Sequence, residues 1–252
     1  MIFNYHTHTK RCNHAVGTER EYVESAIKNG LKILGMSDHA PYLFGNSSYY
    51  SYFRMQVDEL FEYAETVRAL KKEYEKDIRI LLGFELEYYP EFHKAEMEFL
   101  HQVSPDYLLL GQHLLNNEID QVISSKLKTD DELAAYVTQV LAGLETGDFL
   151  YLAHPDLPGY AFSEQAIERE YRRLCEGAKQ MNIPLEINLL GMRAKRPYPD
   201  KRFFKIAAEV GNEIIIGSDA HDPKHVADPL SEAFALDMVA SLGLKLIKKP
   251  LL

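Results

Sequence analysis

The sequence predicts an α/β fold built from parallel strand–helix–strand units, and three observations lead there. Short continuous apolar runs recur along the 252 residues. Amphipathic helical stretches separate them, so that strand and helix alternate seven times. Seven of the ten histidines fall at or just beyond the end of such a run or in the loop it feeds. Continuous hydrophobicity over four to seven residues suits strands buried on both faces. The alternation fits either a closed barrel or an open doubly wound sheet.

The first run is MIFNY, residues 1–5, and it leads into His6 and His8. Strand side chains alternate, so an i, i+2 pair points to one side. A helix follows at 18–30, where Thr18 and Glu21 form a capping-box pattern and Gly30 supplies the stop. LKILGMS at 31–37 leads to His39, with a helix at 55–75. IRILLGFE at 78–85 ends on Glu85, and a helix is expected at 91–102. DYLLLGQ at 106–112 leads to His113, before a helix at 130–143. DFLYLAH at 148–154 ends on His154, before a helix at 163–181. IPLEIN at 183–188 and a helix at 199–210 follow. NEIIIGS at 212–218 leads to Asp219 and His221, and the last helix is expected at 230–242.

A formal charge of -10 with no basic block argues against a nucleic-acid binder, because phosphate-backbone affinity comes from Lys and Arg patches. Cys12 and Cys175 are too few for a disulfide framework, and no apolar stretch approaches a membrane span. The opening MIFNYH is strand-like from residue 2 and leaves no room for a signal peptide, so a cytoplasmic location is expected. No linker or shift in composition marks a boundary, so residues 1–252 are expected to form a single domain.

One H-x-H is weak evidence. Repetition of imidazole or carboxylate at six strand ends is not, because in a parallel barrel those ends share the face where active sites are assembled. Mixed imidazole and carboxylate ligation suits Zn, Fe or Mn, among which ligand type does not choose. Cys12 lies between His8 and His14 and is read as a buried free thiol rather than a ligand. His93 and His101 are read as helix-surface residues, and His225 is left unassigned.

These residues bring a family into view. HTHTKRCNH, SDHAPY, GFELEYYPE, GQH, AHPD, LEINLLGMR and GSDAH occur in order over nearly the whole chain. Together they resemble the polymerase-and-histidinol-phosphatase (PHP) family, in its histidinol phosphatase branch. The resemblance implies a distorted (βα)7 TIM-like barrel with a metal site at the C-terminal ends of the strands. It implies two or three divalent ions: one on His6, His8, Glu85 and Asp219; a second sharing Glu85 and adding His113 and His154; a third on His14, His39 and His221.

It also implies hydrolysis of a small-molecule phosphate ester, L-histidinol phosphate, in histidine biosynthesis. The alternative is another phosphoesterase of the family: a nucleotidase, phosphodiesterase or nuclease. Arg193 resembles a family arginine that contacts the substrate phosphate, and Arg54 matches a second such position. Lys195 and Arg196 are read as surface charges, and the aromatic loop PYLFGNSSYYSYF, 41–53, as either a cover over the site or rim packing.

Overall fold

The computed structural model describes residues 1–45, 48–159 and 161–252, so positions 46 and 47 of the aromatic loop lie outside the described residues. The fold is mixed α/β, as expected. Its parallel strands run in chain order, four in each of two compact units, and each unit is assembled from three separated segments of chain.

The first unit comprises residues 1–86, 91–109 and 217–229. It holds β1 (Phe3–Asn4), β2 (Ile33–Met36), β3 (Arg79–Leu86) and most of β4 (Tyr107–Leu110). Phe3 pairs with Ile33 and Ile33 with Arg79, all in parallel. β2 is buried at every position, as a strand covered on both faces must be. Helix α1 (Glu19–Lys28) starts at the predicted capping box, with Thr18 accepting from the Glu21 amide and Glu21 answering the Thr18 amide. It buries Tyr22, Val23 and Ala26, worth about 1.5–3 kcal/mol for each large side chain. Helices α2 (Leu60–Glu73) and α3 (His93–Leu100) follow their runs as expected.

Tyr107 explains two glycines in this unit. Its hydroxyl donates to the Tyr5 carbonyl at 2.6 Å, and the ring crosses β2 and β3 where they carry Gly35 and Gly83. A Cβ on Gly35 would stand 2.1 Å from the Tyr107 hydroxyl, and one on Gly83 2.4 Å from the ring. Only a residue without Cβ admits that crossing.

The second unit comprises residues 87–90, 110–216 and 230–252. Its strands are β7 (Tyr151–Leu152), β8 (Leu185–Asn188), β9 (Glu213–Gly217) and β10 (Lys245–Leu246). Around them lie α4 (Asp130–Glu145), α5 (Glu164–Gln180), the short α6 (Leu189–Arg193), α7 (Lys201–Val210) and α8 (Pro229–Leu242). α5 packs against both α4 and α7. A small antiparallel hairpin, β5 (Leu114–Leu115) with β6 (Val122–Ile123), follows the fourth apolar run. The hairpin, α6 and β10 were not anticipated; β10 makes the parallel strands eight, where seven units were expected.

Candidate metal centre

The first unit gathers its histidines by a set of buried staples. Asn4 takes the Ser218 amide on its Oδ1 at 3.0 Å and gives its own amide to the Thr7 hydroxyl at 2.8 Å. Ser218 donates to the His6 carbonyl, and Thr7 and Ala220 form a parallel bridge. The chain beyond β9 is thereby laid beside the chain beyond β1, and Asp219 is brought to His6 and His8. His39 reaches Glu85 through a second parallel bridge.

The ligating atoms then converge. His6 Nε2 and His8 Nε2 are 3.1 Å apart, and each lies 3.3–3.4 Å from Glu85 Oε2. Asp219 Oδ1 stands 3.3 Å from His8 Nε2 and 3.7 Å from His6 Nε2. His39 Nδ1 is 3.3 Å from Glu85 Oε2, and His221 Nδ1 is 3.2 Å from Asp219 Oδ1. His14 Nε2 and His221 Nε2 are 3.0 Å apart, while the His221 ring stacks on His8 with centroids 4.2 Å apart.

Those spacings fit a cation. Ligands at 2.0–2.1 Å on a tetrahedral Zn ion lie about 3.3 Å from each other along the edges. Two imidazole nitrogens facing each other at hydrogen-bond distance share one proton at most, so pairs of this kind suit a common ion. Groups able to hold one include His6–His8–Glu85, His8–His39–His221 and Cys12–His14–His221. The chain is therefore a metal-binding protein in its donor set, with ion and number left to the proposal below.

The carboxylates draw positive charge to the middle of the cluster. Burial opposes a charge on His8, but hydrogen bonds to Asp219, Asp38 and Glu85 outweigh it and hold its pKa well above the usual imidazole range. Burial also works against the Asp219 carboxylate, yet the charge of His6 and hydrogen bonds from His221 and His8 keep it well below the usual range. His14 is pushed down to about 4, first by burial and then by His221 and His8, and His221 is lowered by burial and by His8. The outer rings are thus neutral, the form that ligates.

Asp38 was missed in the sequence. It is fully buried, accepts the Thr9 amide at 3.0 Å and the Thr9 hydroxyl, and lies 3.5 Å from His8 Nδ1. Cys12 is buried and its thiol donates to the Thr9 carbonyl at 3.1 Å, in keeping with the packed free thiol expected.

Arg54 is buried at 1% exposure, donates to the Ala40 carbonyl at 2.9 Å, and lies over the rings of Phe53 and Tyr42 at 4.4 and 5.4 Å. Phe53 in turn meets His39 edge-on at 5.4 Å. The described part of the aromatic loop therefore packs onto a site imidazole.

In the second unit His113 and His154 meet edge to face, centroids 4.8 Å apart. Buried carboxylates that the sequence did not single out meet the His113 ring and the His154 backbone. Glu87 Oε1 lies 2.8 Å from His113 Nδ1. Glu186 accepts the His154 amide at 3.0 Å and the Asn188 side chain at 2.9 Å. Arg193 ends α6, half-buried. His154 and Asp219 both take left-handed backbone, φ +28° and +45°, a cost non-glycine residues accept mostly at functional sites.

His93 and His225 are half-buried and His101 is exposed. Among the described residues, no helix is long and apolar enough to cross a membrane.

Comparison with known proteins adds the rest. The PHP domain family matches residues 4–189. A Deinococcus radiodurans protein named "Probable histidinol-phosphatase" is 27% identical over 245 residues, covering 90% of this chain and 89% of its own length. A "Probable phosphatase" of Aliivibrio fischeri is 27% identical over 232 residues, covering 90% and 81%. The crystal structure of histidinol phosphate phosphatase from Lactococcus lactis, complexed with Zn, L-histidinol and phosphate, superposes with a TM-score of 0.71 at 18% identity, over 97% of this chain and 95% of that one. That likeness carries the TIM-like fold. With a family match over most of the chain, donor atoms converging in one buried cluster, and phosphatases among its relatives, the chain belongs to the PHP-domain family, as one of its phosphatases.

Proposed function

We infer that the chain is a histidinol-phosphatase: it hydrolyses L-histidinol phosphate to L-histidinol and phosphate, in histidine biosynthesis. The observation that carries the reaction type is the convergence of His6, His8, His39, Glu85 and Asp219 within 3.1–3.7 Å in a buried place. The substrate rests on the names of its relatives.

Two or three divalent ions, Zn, Fe or Mn, would be held by His6, His8, Glu85 and Asp219, by His14, His39 and His221, and by His113 and His154. A phosphate monoester resists attack because its oxygens are anionic and its alcohol leaves poorly. Divalent ions at such a site supply Lewis acidity that makes water nucleophilic near neutral pH and offsets charge in the in-line transition state.

The chain's own residues do the remainder. Glu85 would bring a cation held there the negative charge that imidazole does not. The neutral rings of His14 and His221 offer lone pairs instead of protons. Arg193 and Arg54 orient the phosphate through planar donor forks.

Initial rates test the substrate. Metal-replete protein is assayed on L-histidinol phosphate, p-nitrophenyl phosphate, a 5′-nucleotide and a phosphodiester. The highest kcat/KM is expected on L-histidinol phosphate; a clear preference for any other ester overturns the substrate.

A further inference from the structure

The second unit carries a cavity of about 320 Å³ that the metal centre does not use. Lys195, Arg196 and Lys201 line it together with Tyr198, Phe234 and Met238. Three cations around one cavity is unexpected in a chain of net charge -10, and Asp237 offsets only one of them. Like charges held close repel, so their grouping favours an anion between them.

The cationic side is braced. Arg196 donates to the Tyr198 hydroxyl at 2.9 Å and lies over that ring at 6.0 Å, while Lys195 sits on left-handed backbone at φ +53°. The other side is apolar. Met238 is buried, but Phe234 keeps 69% of its surface exposed, far more than a core aromatic would. The volume lies within the range of small-molecule sites, which pair apolar walls with a few placed polar groups. Arg193 is not among the residues that line it.

We propose that this cavity binds a flat aromatic monoanion of the arylcarboxylate class, its carboxylate on Lys195 and Arg196 and its ring against Phe234 and Met238. Tyr198 lines the cavity and its ring centroid stands 6.0 Å from that of His154, so an occupant sits one side chain away from a candidate ligand. Binding is reversible and involves no bond making.

Isothermal titration calorimetry of the metal-replete protein with 2-naphthoate tests this, with neutral 2-naphthylmethanol and inorganic phosphate as the other probes. Saturable 1:1 binding of 2-naphthoate is expected, at least ~tenfold tighter than either control. Lys195→Ala with Arg196→Ala should weaken it at least ~tenfold, and Phe234→Ala should weaken it too, whereas Arg193→Ala should not. These side chains are largely exposed, so the variants keep the fold, checked by thermal melting.

The proposal is overturned by no heat of binding up to concentrations on the order of 1 mM, by equal affinity for the neutral alcohol, or by loss of binding in Arg193→Ala with retention in the double variant. A chain that dimerises over Phe234 and excludes the probe overturns it as well.

Discussion

The two units handle their histidines differently. In the first, carboxylates sit among the imidazoles: Glu85 is within 3.3–3.4 Å of His6, His8 and His39, and Asp219 within 3.2–3.7 Å of His6, His8 and His221. In the second, the carboxylates meet the histidines singly: Glu87 lies at Nδ1 of the His113 ring, and Glu186 accepts the backbone amide of His154. An acid among the rings brings charge that a cation can use directly. An acid on one ring nitrogen fixes tautomer and aim, and in the proposed function Nε2 of His113 would then be the ligating atom.

That contrast ranks the substitutions. Glu85→Gln strikes the first arrangement and should lower bound metal and activity together, activity by at least ~100-fold. Elemental analysis beside initial rates decides it, and full activity at unchanged metal content would remove Glu85 from its central place.

Stripping metal with a chelator comes next. It leaves Glu85 and Asp219 facing each other's neighbours without the ion, so the apparent Tm should fall by more than ~5 °C and recover when metal is restored. A melting curve that ignores the chelator would mean the cluster is held by protein contacts alone.

Glu87→Gln should act more gently, weakening metal affinity by roughly 10–100-fold with the fold intact. Competition against a metal-binding dye reads this. An affinity equal to the parent's would show that His113 needs no support from behind.

Two smaller effects bear on the frame. Gly35→Ala should destabilise the protein by about 1–3 kcal/mol, since the new methyl meets Tyr107 and the Tyr5 backbone, without changing metal per folded chain. Denaturant melts and metal analysis separate the two readouts. Cys175 in α5 is buried, and burial pushes its thiol well above the ordinary range. It should resist aromatic disulfide reagents at pH 8 until the protein is unfolded.

Much of this was legible in the sequence for plain reasons. Every apolar run holds a strand, because burial on both faces leaves an unbroken stretch. The Thr18–Glu21 box marks the start of α1 because both partners lie within one turn. His6 and His8 point to one place, as their i, i+2 spacing required.

The remainder had no local signal. Two-residue ladders such as β5, β6 and β10 show no period. Asp38, Glu87 and Glu186 are acids in strand-end stretches whose meaning comes from chain 26–32 residues away, as with Glu87 on His113 and Glu186 on His154. Nothing in the sequence around Arg54 signals burial, yet it is buried, with its guanidinium over the rings of Phe53 and Tyr42.

The staples among Asn4, His6 and Ser218 join positions more than two hundred residues apart. On the ribosome the amino-terminal imidazoles emerge early, long before Asp219 and His221 leave the exit tunnel. A nascent chain therefore carries an open, half-built basket while the residues between are made. The closing pair arrives more than two hundred residues after Asn4 and His6, so maturation of the centre waits for its translation.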